Sequence, residues 1–256
     1  MRWAAALAIG VMVALATSWW RRRRDAAVLR RRLLDAHGEL EHLQGAFSRF
    51  APRELVDRIA SGHAAGAEKK EVTVLFADLV GFTALGDRVD AEVLVGVLNE
   101  HFRRMSRIVA DHRGHVAKFI GDGMMALFGA HQANPWQSND AAHAALAMQA
   151  SVETHNADLA RRGLPPLGMG IGIHRGLVIA GVIGSAELQE FTVIGGPVNL
   201  ASRVERLTRI HGARILLTST VRAHLDPRFA LRELPPLEVR GVAEPVTVFS
   251  LEGAAP

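Results

Sequence analysis

Two stretches of the chain, 72–83 (VTVLFADLVGFT) and 118–129 (KFIGDGMMALFG), are near-continuous apolar runs, each interrupted by one aspartate with glycine nearby. Short apolar runs of this kind predict buried strands, the first over 72–78. Between them the apolar spacing predicts a helix over 90–112, with Asp90 as its start cap and Gly114 just past its end. A hairpin follows, with arms 115–120 and 124–128 and Gly121-Asp122-Gly123 as the turn, because glycine and aspartate tolerate positive φ. Downstream the pattern predicts a helix over 139–162, then a second hairpin (167–174 and 177–183) turning at Arg175-Gly176. A short strand at 191–194, a helix over 197–211 with Pro197 in its first turn, and a small β-rich completion over 215–251 finish the chain. This order predicts an α+β sandwich with helices on one face of a mostly antiparallel sheet.

The N-terminal part has a different character. Residues 3–20 form eighteen positions without a charge, bracketed by Arg2 and Arg21 and carrying tryptophan at both ends, which predicts a transmembrane helix. Seven arginines just beyond it (21–24 and 30–32) place that side in the cytoplasm, giving a single-pass protein of the inner or plasma membrane. Ala6, Gly10, Ala14 and Ser18 make a small-residue stripe on which two such helices can pack. Leu29, Leu33, Ala36, Leu40, Leu43, Phe47 and Phe50 then follow coiled-coil spacing, although an amphipathic helix packed on its own domain fits the same pattern. A short helix over 53–60 and a connector over 61–70 lead to the globular part. The expected division is an anchor at 1–24, a linker at 25–70 and a globular domain at 71–253.

Composition narrows the partners. Eight of the 30 basic residues lie before position 33, leaving 22 basic against 25 acidic residues in the remainder. With no basic stripe in that remainder, the composition argues against nucleic acid as a partner, since binding a phosphate backbone needs clustered lysine and arginine. The absence of cysteine rules out disulfides and thiolate metal sites.

The chemistry concentrates at the two aspartates. A carboxylate at the end of a buried strand is costly unless a cation or hydrogen bonds balance it, and a pair of them suits two divalent ions held against a nucleotide triphosphate. The alternative, in which one aspartate caps a helix and the other shapes a turn, stays open on the residues alone. A third block, 191–203 (FTVIGGPVNLASR), sets Asn199 and Arg203 four apart on a helix, so that an amide and a guanidinium project from one face.

With these blocks in this order, the chain resembles the class III nucleotidyl cyclases, the adenylate and guanylate cyclases, over roughly 47–251. The resemblance implies a ferredoxin-like βαββαβ core and head-to-tail homodimers with active sites at the subunit interface. It implies metal binding by Asp78 and Asp122, with the Leu79 carbonyl as a further ligand for two Mg2+ or Mn2+ ions. It also implies base selection by Lys118 and Thr192, and ribose and transition-state contacts by Asn199 and Arg203. Backbone amides near Gly81, Phe82 and Thr83 are expected to cradle the β and γ phosphates, and Arg240 to contact phosphate. Adenine offers an acceptor at N1 and a donor at N6, which a lysine ammonium and a threonine hydroxyl complement, so ATP is the expected substrate and cyclic AMP the product. A threonine at the second base position is most like bacterial adenylate cyclases. Guanylate cyclase, or a non-catalytic dimerisation partner of another cyclase, are the alternatives. One departure is Gly196, where the family usually has aspartate; glycine is expected to cap the helix there.

Overall fold

The computed structural model describes residues 67–185, 189–238 and 244–255, together with residues 19, 20, 31, 34, 37 and 38. The chain divides into two compact units, 1–61 and 62–256. In the first, the described positions are helical and exposed. The rest of the expected membrane span, all seven residues of the heptad seam and the short helix at 53–60 lie outside the described residues. Among the described residues no helix is long and apolar enough to cross a membrane.

The second unit begins with β1 (Glu68–Val80), thirteen residues and so much longer than the strand expected at 72–78. After it come α1 (Phe82–Gly86), α2 (Ala91–Asp111), β2 (Gly114–Ile120), β3 (Gly123–Phe128) and α3 (Gln137–Arg161). Then follow β4 (Gly168–Gly184), β5 (Gln189–Ile194), α4 (Gly196–His211), β6 (Ile215–Thr218), α5 (Ser219–Arg222), β7 (Phe229–Glu233) and β8 (Val248–Ala254). The sheet runs β2-β3-β1-β4-β6-β8-β7, with β5 paired to β4 off this path. Its first four strands are mutually antiparallel in the order β2-β3-β1-β4, the ferredoxin-like arrangement, and the C-terminal strands extend the same sheet.

Three expectations need correction. The second hairpin does not exist: β4 is one strand that pairs with β1 from Glu68↔Ala180 to Val80↔Gly168. Arg175-Gly176 resembles a turn because a charge and a glycine interrupt an apolar run, yet both belong to the strand interior. The Arg175 guanidinium is buried and donates to the Glu71 carboxylate at 2.7 Å and to Ser138 Oγ at 3.3 Å. Gly176 leaves room for Pro197, whose Cγ would lie 2.7 Å from a Cβ there.

The helices are also not confined to one face. Leu75, Ala77 and Leu79 of β1 and Ile171 and Ile173 of β4 share a core with Val97, Met105 and Val109 of α2 and Ala141, Ala145 and Met148 of α3. Strand residues alternate faces, so Gly168, Gly170, Gly172 and Gly176 turn to the other side. There α4 rests almost on the strand backbone: a Cβ on Gly172 would fall 2.1 Å from the Glu205 backbone nitrogen. The helix ends differ too. Asp90 sits at the start of α2 but its side chain makes no capping bond. The positive φ after α2 belongs to Arg113 (59°), while Gly114 opens β2 and lies against the Phe128 ring. The cap of α4 is Gly195, and Gly196 is already helical.

Three histidines are buried among these layers. His101 faces His155 between α2 and α3, and His174 lies in β4 with Nδ1 2.9 Å from Thr218 Oγ1. Burial holds His101 and His174 down at about 4, and burial also lowers His155. A depressed folded-state value means the neutral ring is favoured in the fold. The stabilisation is therefore complete above the unfolded value of 6.5 and is lost as pH falls towards 4, by about 2–3 kcal/mol per ring at pH 4.5 for His101 and His174. Glu205 and Asp122, raised by burial, act in the opposite sense and offset part of this. Melting temperatures measured from pH 7 to 4.5 are expected to fall, with a shallower slope in His101→Asn.

Candidate active site

β1 outruns its neighbour: pairing with β3 stops at Ala77↔Met124, whereas pairing with β4 continues through Asp78↔Gly170. Asp78 thus stands at the tip of β3, beside the two-residue turn Gly121-Asp122. Gly121 has φ 62°, which a side chain would strain. Gly123 lets the Asp78 carboxylate lie against that turn, since a Cβ there would sit 2.8 Å from Asp78 Oδ1 and 2.9 Å from the Ala77 carbonyl. The two aspartates feel each other: burial raises the Asp122 carboxyl above its usual range, with the Asp78 charge adding to it and Arg209 opposing.

Two residues not anticipated from sequence complete this cluster. Arg209 Nη2 donates to Asp78 Oδ2 at 2.5 Å, and its Nη1 lies 3.5 Å from Glu205 Oε1. Glu205 is only 5% exposed, its Oε1 makes no hydrogen bond, and burial pushes its carboxyl up to about 7. It comes this close because the floor beneath it is Gly170, where a Cβ would lie 2.8 Å from Oε1. The Asp78 and Asp122 carboxylates and the nearby Ala77 carbonyl are hard oxygen donors of the kind Mg2+ or Mn2+ takes, with the Arg209 guanidinium lying among them.

A second cluster forms around the start of β5. Lys118 on β2 donates from Nζ to Glu190 Oε1 at 2.5 Å. Glu190 and Thr192, two apart on β5, share a face. Thr192 is 4% exposed and its Oγ1 has no protein partner. Glu190 was also unanticipated, being one acid in a short loop-like run. Next to Lys118, Phe119 stacks on Phe102 at 4.1 Å between ring centroids.

The third pair lies on α4. Asn199 is exposed and Arg203 half-buried. Arg203 precedes Arg209 by six residues and Asn199 by ten, hence ~9 and ~15 Å along the helix axis from the end that touches Asp78. Within one chain, then, α4 separates the Asn199 amide from the aspartate pair. Gly81 caps the five-residue α1 in a left-handed conformation (φ 91°), with Phe82 and Thr83 as its first residues. Leu79 is buried in β1 one residue past Asp78. Arg240 lies outside the described residues.

The sequence profile of the family described as "Adenylate and Guanylate cyclase catalytic domain" matches residues 65–253. The adenylate cyclase of Anabaena cylindrica is 31% identical over 226 residues, which cover 84% of this chain and 44% of that protein. The chain therefore spans less than half the length of that relative. Among solved structures, the adenylyl cyclase CyaB from P. aeruginosa is 27% identical with a TM-score of 0.70, covering 74% of this chain and 97% of that one. The guanylyl cyclase Cya2 is 32% identical with a TM-score of 0.67, covering 74% and 95%. A match over nearly the whole second unit, joined to a ferredoxin-like core with paired aspartates at its strand tips, means that the chain belongs to the adenylate and guanylate cyclase catalytic domain family.

Proposed function

We propose that the protein is an adenylate cyclase, converting ATP to 3′,5′-cyclic AMP and pyrophosphate at sites shared between two copies of the chain. The observation that carries this reading is the juxtaposition of Asp78 and Asp122 in a chain of this family. Two divalent ions, when bound there, supply acidity to the ribose 3′-hydroxyl and neutralise the triphosphate. Asp78, Asp122 and the Leu79 carbonyl would hold them. Lys118 donates to adenine N1 and the buried Thr192 hydroxyl accepts from N6. The Lys118 ammonium has three donors, so its bond to Glu190 fixes its position and leaves others for the base. Asn199 orients the ribose, and Arg203 offsets charge growing on the α-phosphorus as the 3′-oxygen attacks and pyrophosphate leaves. Amides at Gly81, Phe82 and Thr83 face the β and γ phosphates, with Arg240 as a further contact.

The axial distance between Asn199 and the aspartate pair supports completion of each site by a second copy, with Asp78 and Asp122 from one subunit and Lys118, Thr192, Asn199 and Arg203 from the other. Exposed apolar residues, Phe119 and Ile120 at the end of β2 and the cross-strand pair Ile179↔Ile194, supply surface for that contact. The uncharged run at 3–20 and its arginine flank support membrane anchoring with the catalytic part in the cytoplasm; fractionation and protease protection of the full chain test it.

Turnover of ATP and GTP in parallel, with Mg2+ or Mn2+, tests the reaction. ATP is expected to be favoured by ~10-fold or more, because a base of reversed polarity leaves Lys118 and Thr192 mismatched. No cyclic product from a folded dimer would remove the proposal. GTP preference would instead support guanylate cyclase, a reading favoured by the Glu190 carboxylate beside the base position and by the likeness to Cya2.

A further inference from the structure

Asp78, Asp122 and Glu205 converge where β1, the β2–β3 turn and α4 meet, and the guanidinium of Arg209 lies among them. Arg209 projects from the last turn of α4, one turn beyond Glu205, and bridges the two acids: 2.5 Å to Asp78 Oδ2 and 3.5 Å to Glu205 Oε1. Neither Arg209 nor Glu205 has a task in the cyclisation described above. Yet the glycine floor at Gly170 exists to admit Glu205 and Thr208, and burying Glu205 with an oxygen lacking any hydrogen bond is costly.

We propose that Arg209 is a built-in stand-in cation, which occupies Asp78 in the nucleotide-free enzyme, competes with the divalent ion for that carboxylate, and passes to Glu205 when the ion binds. The inference rests on the reading of Asp78 as a metal ligand. Without a cation, two neighbouring carboxylates repel, and the guanidinium relieves this. Once a divalent ion holds Asp78, its charge repels the guanidinium from the same oxygen. Glu205 is a prepared receiver: a shift of ~0.6 Å brings the 3.5 Å contact to ordinary hydrogen-bond length. Metal affinity is thereby set below what the aspartates alone would give, and ion binding is felt at the C-terminal turn of α4.

The test is a Mn2+ titration of the full chain without nucleotide, following free Mn2+ by electron paramagnetic resonance. Arg209→Gln is expected to lower the dissociation constant ~10-fold, and Arg209→Lys, which keeps the charge, to lower it much less. Asp78→Asn is expected to abolish binding in either background. Unchanged or weaker binding in Arg209→Gln overturns the inference; if Asp78→Asn still abolishes binding, the metal reading stands without it. Absence of Mn2+ binding in wild type and Arg209→Gln alike overturns both. A crystal structure of the wild-type chain with Mn2+ reads the same event without any substitution: Arg209 is expected on Glu205, and Arg209 still on Asp78 beside the bound ion overturns the proposal.

Discussion

Asp78→Ala and Arg203→Ala are each expected to lose ~10²–10³-fold or more in turnover, and a mixture of the two to recover activity. The reason lies in the length of α4. Arg203 sits ~9 Å along the helix axis from the residue that touches Asp78, and Asn199 ~15 Å. If each site takes its aspartates from one subunit and its α4 pair from the other, a heterodimer of the two variants has one intact site and one doubly damaged site. Random exchange makes half of the dimers mixed, so the mixture should reach about a quarter of wild-type activity. Cyclic AMP formation measured after confirmed subunit exchange checks this. Activity no higher than that of either variant alone would mean that each chain carries its own complete site.

Gly172→Ala is expected to prevent folding or to cost ~3 kcal/mol or more, well beyond the usual penalty of a surface substitution. The added carbon would lie 2.1 Å from the Glu205 nitrogen, 2.6 Å from its Cα and 2.7 Å from the Ala201 carbonyl. All three are backbone atoms, so no rotamer change relieves the clash, and α4 as a whole has to lift. Gly196→Ala, where nothing lies within 4 Å of the added carbon, serves as the contrast and should melt close to wild type. Urea unfolding of the three proteins compares them directly.

The difference between these two glycines also explains what was legible in the sequence. Asp78 and Asp122 stand out because a polar residue inside an apolar strand run is conspicuous, and the structure brings them together; Lys118 and Thr192 are legible only through the family resemblance. Asn199 and Arg203 were legible as a helical pair, but their distance from Asp78 depends on where α4 lies, which no local pattern states. Glu205, Arg209 and Glu190 passed unnoticed because acids and arginines on helix and strand surfaces are ordinary. The available signal was the alternation Gly168-x-Gly170-x-Gly172, which marks a strand face with no side chains and hence a helix at close range. That signal competes with Arg175-Gly176, which resembles a turn and would split β4 into two. A pairing partner as long as β1 was needed to see it as one strand.

The bare face of β4 has a mechanical consequence. Elsewhere in the unit, layers meet through leucine, methionine and alanine side chains that can change rotamer and absorb small displacements. Where β4 crosses α4 at Gly172 there is no such cushion, since backbone meets backbone. A displacement of α4 at that crossing has to move the strand with it, so helix and sheet are braced there as one piece.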